Sequence, residues 1–239
     1  MLLDASANDA WMQSVAAELR HSETAFVVPR DDGGYDLRWF TPAAEVQLCG
    51  HATLATAHVL AGQGAAGPLA FHTHSGVLTA AINDGDIELD FPAQSPAPID
   101  EPQGLAVALG TSLRSTYGNG VDVLVEVADE ETVRDLAPDI AALRRVDCRG
   151  VVVTAQANEG SDVDFVSRFF APRVGVDEDP VTGSAHCALA PFWTRRLGRS
   201  SLVGAQLSPR GGRVGVEVRG DRVMLRGRAV TVLEGSLLG

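Results

Sequence analysis

Two short segments each place a glycine at the head of an alanine-rich run, beside side chains that can move a proton. One is Cys49-Gly50-His51-Ala52, with Glu45 shortly upstream. The other is Thr182-Gly183-Ser184-Ala185, preceded by Asp177, Glu178 and Asp179 and followed by His186. Glycine has no side chain to cover the backbone N–H groups at a helix start. Gly50 and Gly183 therefore offer donors that a carboxylate can take without any arginine. Carboxyl groups beside histidine and serine suit proton transfer, because burial and neighbours can bring a carboxylic acid's pKa toward neutrality. Taken singly, each glycine reads as a tight turn and the run Asp177-Glu178-Asp179 reads mostly as a solvated loop. The pairing of the two segments favours function. Asp179 stands apart from its neighbours, because Pro180 fixes the chain that follows it.

The elements around these residues repeat as well. Arg38-Trp39-Phe40-Thr41-Pro42 returns as Arg168-Phe169-Phe170-Ala171-Pro172. Each copy predicts an aromatic strand that ends at a proline, a carboxylate-bearing loop and a helix opened by glycine. One aromatic of each adjacent pair is expected in the core and the other on a cleft wall. Downstream, Phe71–Gly76 lines up with Leu207–Gly212, and Ile87 and Leu89 fall on Val223 and Leu225 at the same offset. Four matched elements in the same order point to a duplicated unit.

Along the chain, Asp9–Arg20 has helical apolar spacing, capped by Asn8 or Asp9. Strands are predicted at Thr24–Arg30 and Tyr35–Thr41, joined by the turn Asp31-Asp32-Gly33-Gly34. Ala52–Ala61 reads as a helix buried on every face. Strands follow at Leu69–Thr73, Val77–Asn83 and Asp86–Phe91, the last two joined by Asp84-Gly85. Pro92–Pro98 has linker composition and sets the boundary between domains at 1–95 and 96–239. The second half predicts helices near Gln103–Leu109 and Glu130–Leu136, with strands at Val121–Val127, Gly150–Ala155 and Asp164–Ala171. Pro191 is expected to kink the second apolar helix. Strands outnumber helices, and one apolar helix sits in each half. The economical arrangement is α+β, with a mixed, mostly antiparallel sheet wrapped around each helix and a cleft between the domains.

Bulk properties exclude several classes. The chain has 239 residues, a net charge of −12 and 45% hydrophobic residues. The acidic balance argues against nucleic-acid partners. No apolar run is long enough to span a membrane. Three cysteines without paired spacing, Cys49, Cys148 and Cys187, fit a reducing cytoplasm. Cys49 reads as a small packed residue, and Cys148 and Cys187 as core or neutral positions. His72 and His74 share one face of a strand but lack a third metal ligand, and His58 reads as a core or interface histidine.

The segments Leu48-Cys49-Gly50-His51-Ala52-Thr53 and Glu178-Asp179-Pro180-Val181-Thr182-Gly183-Ser184-Ala185 resemble the paired signatures of the PhzF phenazine-biosynthesis family. His21-Ser22-Glu23-Thr24-Ala25-Phe26-Val27 is similar to a third family segment. The resemblance implies the diaminopimelate-epimerase fold, an isomerase and no metal or organic cofactor. It implies Glu23 as the acid/base, where proximity alone favours Glu45. His51, Asp179 and Ser184 carry over as catalytic residues. Gly50, Gly183 and Thr182 carry over to the binding of a small anionic metabolite, with Glu45 and Cys49 in supporting positions. Relatives often dimerise, so a homodimer is expected. The family pattern begins with a strand and a Gly-Asn-Pro segment upstream of the point matched by Met1, so the first domain is expected to lack that strand. The last strand is free to return to the first domain.

Two other functions compete. Racemases of this fold use two cysteines, one at each helix start. Cys49 stands at the first, but Thr182 stands at the second, which counts against a racemase or epimerase. A non-catalytic small-molecule binder is the third reading, motivated by the missing first strand.

Overall fold

The computed structural model describes residues 1–83 and 85–237. Asp84, named above as part of a turn, lies outside the described residues. The chain divides into two compact units, Met1–Asp90 with Arg226–Gly239, and Phe91–Leu225.

The first unit opens with α1 (Asp9–Leu19) and continues through β1 (Thr24–Pro29), β2 (Tyr35–Phe40), β3 (Glu45–Val46), α2 (Gly50–Gly62), β4 (Leu69–Thr73), β5 (Gly76–Asn83) and β6 (Asp86–Pro92), whose last two residues belong to the second unit. The Asn8 side chain caps α1 by accepting from Trp11 N–H at 2.8 Å. Strand order is β1-β2-β4-β5-β6, with β3 beside β2. The β1–β2, β4–β5 and β5–β6 pairs are antiparallel, and β2–β4 is parallel. Parallel neighbours need a crossover, and α2 supplies it.

The second unit contains β7 (Ala97–Pro98), α3 (Leu105–Leu109), β8 (Ser115–Gly118), β9 (Asp122–Glu126), α4 (Glu130–Arg134), α5 (Ile140–Leu143), β10 (Gly150–Gln156), β11 (Phe165–Ala171), β12 (Val176–Asp179), α6 (Gly183–Leu197), β13 (Ser201–Gln206), β14 (Gly212–Arg219) and β15 (Arg222–Gly227), whose last two residues belong to the first unit. Strand order runs β15-β14-β13-β11-β10-β9-β8-β7, with β12 beside β11. The β10–β11 and β13–β14 pairs are antiparallel, while β11–β13 is parallel and spanned by α6.

The duplication therefore extends further than the sequence matches. β10, β11, β12, α6, β13, β14 and β15 follow the order of β1, β2, β3, α2, β4, β5 and β6, with the same crossover between the second and fourth strands. The second unit adds α3–α5 and the strands β9, β8 and β7, which continue the sheet beyond β10. The architecture is mixed α+β with few helices.

Several local expectations change. The α2 helix is not buried all round: Ala52, Thr53, Thr56, Ala57 and Leu60 face inward, but Val59 is 38% exposed. It packs on β1 and β5 along one stripe, which leaves the opposite stripe to solvent. By contrast, every residue of α6 from Ala185 to Trp193 is buried. Pro191 lies inside α6, and the helix runs through it as one element. Proline removes the N–H that would bond the Cys187 carbonyl. Gln94 N–H donates to that carbonyl at 3.0 Å instead. The proline-rich stretch 92–98 is consequently no free linker. Ala93 N–H also donates to Asp221 O, and Ala97–Pro98 pairs with β8.

All four repeated aromatics, Trp39, Phe40, Phe169 and Phe170, are buried. Phe40 joins Met12, Ala16 and Phe26 in a cluster beneath α1, and Phe170 joins a cluster with Val151, Val153 and Val166. Both faces of these strands are covered, so alternation sends neither member of a pair to solvent. His74 lies in the turn after β4 and not on the strand with His72. Their ring nitrogens approach different carboxylates, Asp32 for His72 and Glu45 for His74. No described helix is long and apolar enough to cross a membrane.

Candidate active site

Glu23 sits immediately before β1, whose Phe26 and Val27 are buried and pin the strand to the core. The next strand, β2, carries Arg38. Its guanidinium forks onto Glu45, with Nε donating to Oε1 and Nη2 to Oε2, both at 2.7 Å. This bidentate pair fixes the return of the chain into β3. Thr41 tightens the turn by accepting from Ala43 and Ala44 N–H. The chain then reaches Cys49, the extended N-cap of α2, whose side chain makes no capping bond.

These elements bring Glu23 and His51 together. His51 Nε2 lies 3.0 Å from Glu23 Oε2 and 3.2 Å from Ser22 Oγ. Cys49 Sγ is 3.8 Å from the same nitrogen. The Glu23 and His51 side chains are 15% and 21% exposed, so the pair is largely desolvated but open to a ligand. Burial works to raise the Glu23 carboxyl, but His51, Ser22 and Cys49 outweigh it and hold the group below its ordinary value. Burial likewise opposes charge on His51, yet the Glu23 carboxylate beside it holds its pKa above the usual imidazole range. The resting pair is thus carboxylate and imidazolium. The carboxyl is not tuned upward toward neutrality as its burial alone suggests. The Cys49 thiol is buried and its pKa is pushed up, so it stays protonated near neutral pH.

The second unit repeats the supporting frame. Arg168 forks onto Glu178, with Nε donating to Oε1 at 2.7 Å and Nη2 to Oε2 at 2.9 Å. Glu178 is therefore the counterpart of Glu45, not part of a solvated loop, and Asp177 alone among the three acids is exposed. Arg168 also donates to Leu136 O at 2.7 Å, which ties β11 to the end of the preceding helical region.

Asp179 is buried and accepts the Thr182 hydroxyl at 2.5 Å. Gln206, at the end of β13, clamps the same loop. Its Nε2 donates to Asp179 O at 2.6 Å and its Oε1 accepts Thr182 N–H at 2.8 Å. Thr182 is the extended N-cap of α6 and, like Cys49, makes no side-chain capping bond. His186 Nδ1–H donates to Thr182 O at 2.8 Å, and burial lowers the ring's pKa to about 4. His186 is thus a neutral part of the helix start.

Ser184 does not stand alone. Arg149 Nη2 donates to Ser184 Oγ at 3.0 Å, while its Nε donates to Asp122 Oδ1 at 2.8 Å. A guanidinium therefore accompanies the start of α6, where the sequence suggested backbone N–H groups by themselves. Sequence reasoning missed Arg149, Asp122, Gln206 and the role of Arg168. One signal was available: Asp122 interrupts the apolar run Val121–Val127, and a charge in such a strand needs a partner. Nothing local points to Arg149 as that partner.

Within the first unit the structure joins Glu23, His51 and Cys49, with Gly50 opening the helix and Glu45 held by Arg38. Within the second unit it joins Asp179 to Thr182, while Ser184, two residues on, takes Arg149 and Gly183 opens the helix.

Comparison with known proteins places the chain in a family. The family model PhzC-PhzF, described as phenazine biosynthesis-like protein, matches residues 1–235. A Pseudomonas aeruginosa protein named as an uncharacterized isomerase is 49% identical over 237 residues, covering 98% of this chain and 90% of its own. A crystal structure of a phenazine biosynthesis protein of the PhzF family from Enterococcus faecalis superposes with a TM-score of 0.90 at 43% identity, covering 95% of this chain and 86% of the other. A hydroxyproline epimerase from Agrobacterium vitis shares the fold at 14% identity and a TM-score of 0.56, over 86% of this chain and 72% of its own.

Proposed function

The chain belongs to the PhzC-PhzF family of phenazine biosynthesis-like proteins and is an isomerase, and on that premise we propose that it moves a proton between two carbons of a small carboxylated metabolite. Glu23 is the base in this proposal and His51 its partner. The observation that carries it is the 3.0 Å approach of His51 Nε2 to Glu23 Oε2 at the start of α2.

In this reading the Glu23 carboxylate takes a proton from a carbon next to an unsaturated, carboxylated system. The electron pair of the C–H bond moves into that system. A proton then returns at another carbon from Glu23 or from the His51 imidazolium. General acid–base groups of this kind contribute about 10²–10⁴-fold to rate. The two N-caps support the binding half of the proposal. Cys49 and Thr182 both leave the helix start without a side-chain cap. Donors at such a start stabilise negative charge as it develops. In each unit the helix start takes a binding role in this proposal, Gly50 in the first and Gly183 with Thr182 in the second, while Asp179 and Ser184 take proton delivery. The chemistry as proposed needs neither metal nor organic cofactor.

The test is hydrogen exchange. Candidate carboxylated substrates are incubated in deuterated water, and carbon-bound deuterium is followed by NMR. The wild type is expected to incorporate deuterium, and Glu23→Gln to be slower by about 10²-fold or more. Equal uptake by both proteins would remove Glu23 from the mechanism.

A further inference from the structure

Glu23, Cys49 and His51 form more than an acid–base pair. One ligand atom from each lies within 4.8 Å of the other two. The set is a carboxylate oxygen, a sulfur and an imidazole nitrogen on one small, partly exposed site. We propose that these side chains bind a thiophilic divalent cation, zinc above all, and that the bound cation holds the isomerase in an inactive state. The proposal rests on the assignment of Glu23 as base for its inhibitory consequence, but not for the binding itself.

Geometry supports it first. Zinc bonds of about 2.0–2.2 Å to nitrogen and oxygen and about 2.3 Å to sulfur, arranged tetrahedrally, separate N from O by about 3.3 Å and N from S by about 3.6 Å. The corresponding separations here are 3.0 Å and 3.8 Å. The third separation, between the Cys49 sulfur and the Glu23 oxygen, is within 4.8 Å. The three protein ligands leave a fourth position open to water, as in zinc sites that are not fully closed.

Donor chemistry supports it second. One sulfur and one imidazole select zinc or a similar transition ion over magnesium and calcium, which take oxygen ligands. Local rigidity supports it third. Cys49 and His51 flank Gly50 at the first turn of α2, and Thr53 holds the Cys49 carbonyl through both its N–H and its hydroxyl. The backbone that carries two of the three ligands is thereby held before any ion arrives. Entry runs past Glu23 and His51, the two partly exposed members, and the net charge of −12 favours approach of a cation.

Binding replaces the Cys49 S–H bond and the proton between Glu23 and His51 with three metal–ligand bonds, and the displaced protons go to solvent. A Glu23 oxygen on the metal cannot accept a proton from carbon. The cation thus competes with turnover and is no part of it.

Cobalt(II) gives a readout that needs no substrate. Titration of the wild type is expected to reach one equivalent, with intense four-coordinate visible bands and a thiolate-to-cobalt absorption in the near ultraviolet. Cys49→Ser should abolish the thiolate band, and His51→Gln should weaken binding by about tenfold or more. A thiolate band that survives Cys49→Ser, or no uptake by the wild type, overturns the proposal. If Cys49→Ser folds poorly, zinc-edge X-ray absorption of the wild type decides instead. A shell with one sulfur and at least one histidine supports the site, and a sulfur-free shell overturns it. Because exchange into substrate carbon is measured separately, loss of the cation site leaves the proton-transfer proposal standing, and the reverse also holds.

Discussion

His51 Nε2 and Glu23 Oε2 face each other at 3.0 Å across a joint between a strand entry and a helix start. Neither residue's element holds the other. The pair exists because β1 and β2 lie antiparallel and the β2–β3 return delivers the α2 start back beside Glu23. Its charge state makes it a stability element as well as a candidate catalytic one.

The pH dependence of that pair has a defined window. Glu23 is held below its ordinary value of 4.5, so its contribution is complete above that pH and is lost as pH falls through the lowered value. His51 is held above its ordinary 6.5, so its contribution is complete below that pH and is lost as pH rises through the raised value. The stability difference between wild type and His51→Gln should therefore peak between pH 4.5 and 6.5. A charge-assisted contact suggests a peak of about 1–3 kcal/mol. Urea melts across that range measure it, and a difference that stays flat from acid to alkali would show the pair to be uncharged.

Asp122 depends on Arg149. The Asp122 side chain is 2% exposed, whereas that of Arg149 is 37% exposed. Arg149→Met strands a buried carboxylate and should cost about 3 kcal/mol, at the low end for broken buried pairs because Arg149 meets water. Asp122→Asn combined with Arg149→Met should recover part of that loss. Single and double variants compared by chemical denaturation give the coupling, and additivity within about 0.5 kcal/mol would mean the two do not interact.

Gly204 is required by a ring. An added Cβ there would meet Phe165 ring atoms at 2.4 Å and 2.5 Å. Phe165 cannot retreat, because it is fully buried and stacks on Trp193 of α6, centroids 6.0 Å apart and planes at 9°. Gly204→Ala is expected to destabilise by about 1–3 kcal/mol. Gly62→Ala, where the Cβ meets nothing within 4 Å, should be neutral or mildly stabilising. Thermal melts of the two variants side by side provide the check, and equal midpoints would refute the wedge.

His186 should stay neutral well below ordinary imidazole pH. Its pKa falls from 6.5 to about 4 through burial. The unfolded chain takes up a proton in that interval before the folded one does. Its cost to stability therefore begins as pH drops below 6.5 and grows to about 3 kcal/mol near pH 4. Nitrogen NMR shifts of the ring should report the Nδ1–H tautomer at pH 6. Titration of His186 near its ordinary value would show the helix start to be wetter than described.

The sequence by itself determined what is local or periodic. Asn8 announced the cap of α1, alternating apolar residues announced the strands, and Gly50 and Gly183 announced the helix starts. The repeated Arg-aromatic-aromatic segments announced the duplication, because equivalent strands need equivalent side chains on both faces. The sequence motifs also singled out Glu23, His51, Asp179 and Ser184. Tertiary structure decided the partners. Arg38 and Arg168 were visible as repeated residues, but only the β2–β3 and β11–β12 returns show that each grips a glutamate. Pro191 looked like a break until Gln94, far away in sequence, supplied the missing donor. Arg149 reaches Asp122 because β9 and β10 run parallel, which sets their two ends side by side. Spacing along a chain records which face of an element a residue occupies. Which charge it meets across that face depends on strand order and register, and those are fixed only when the whole sheet assembles.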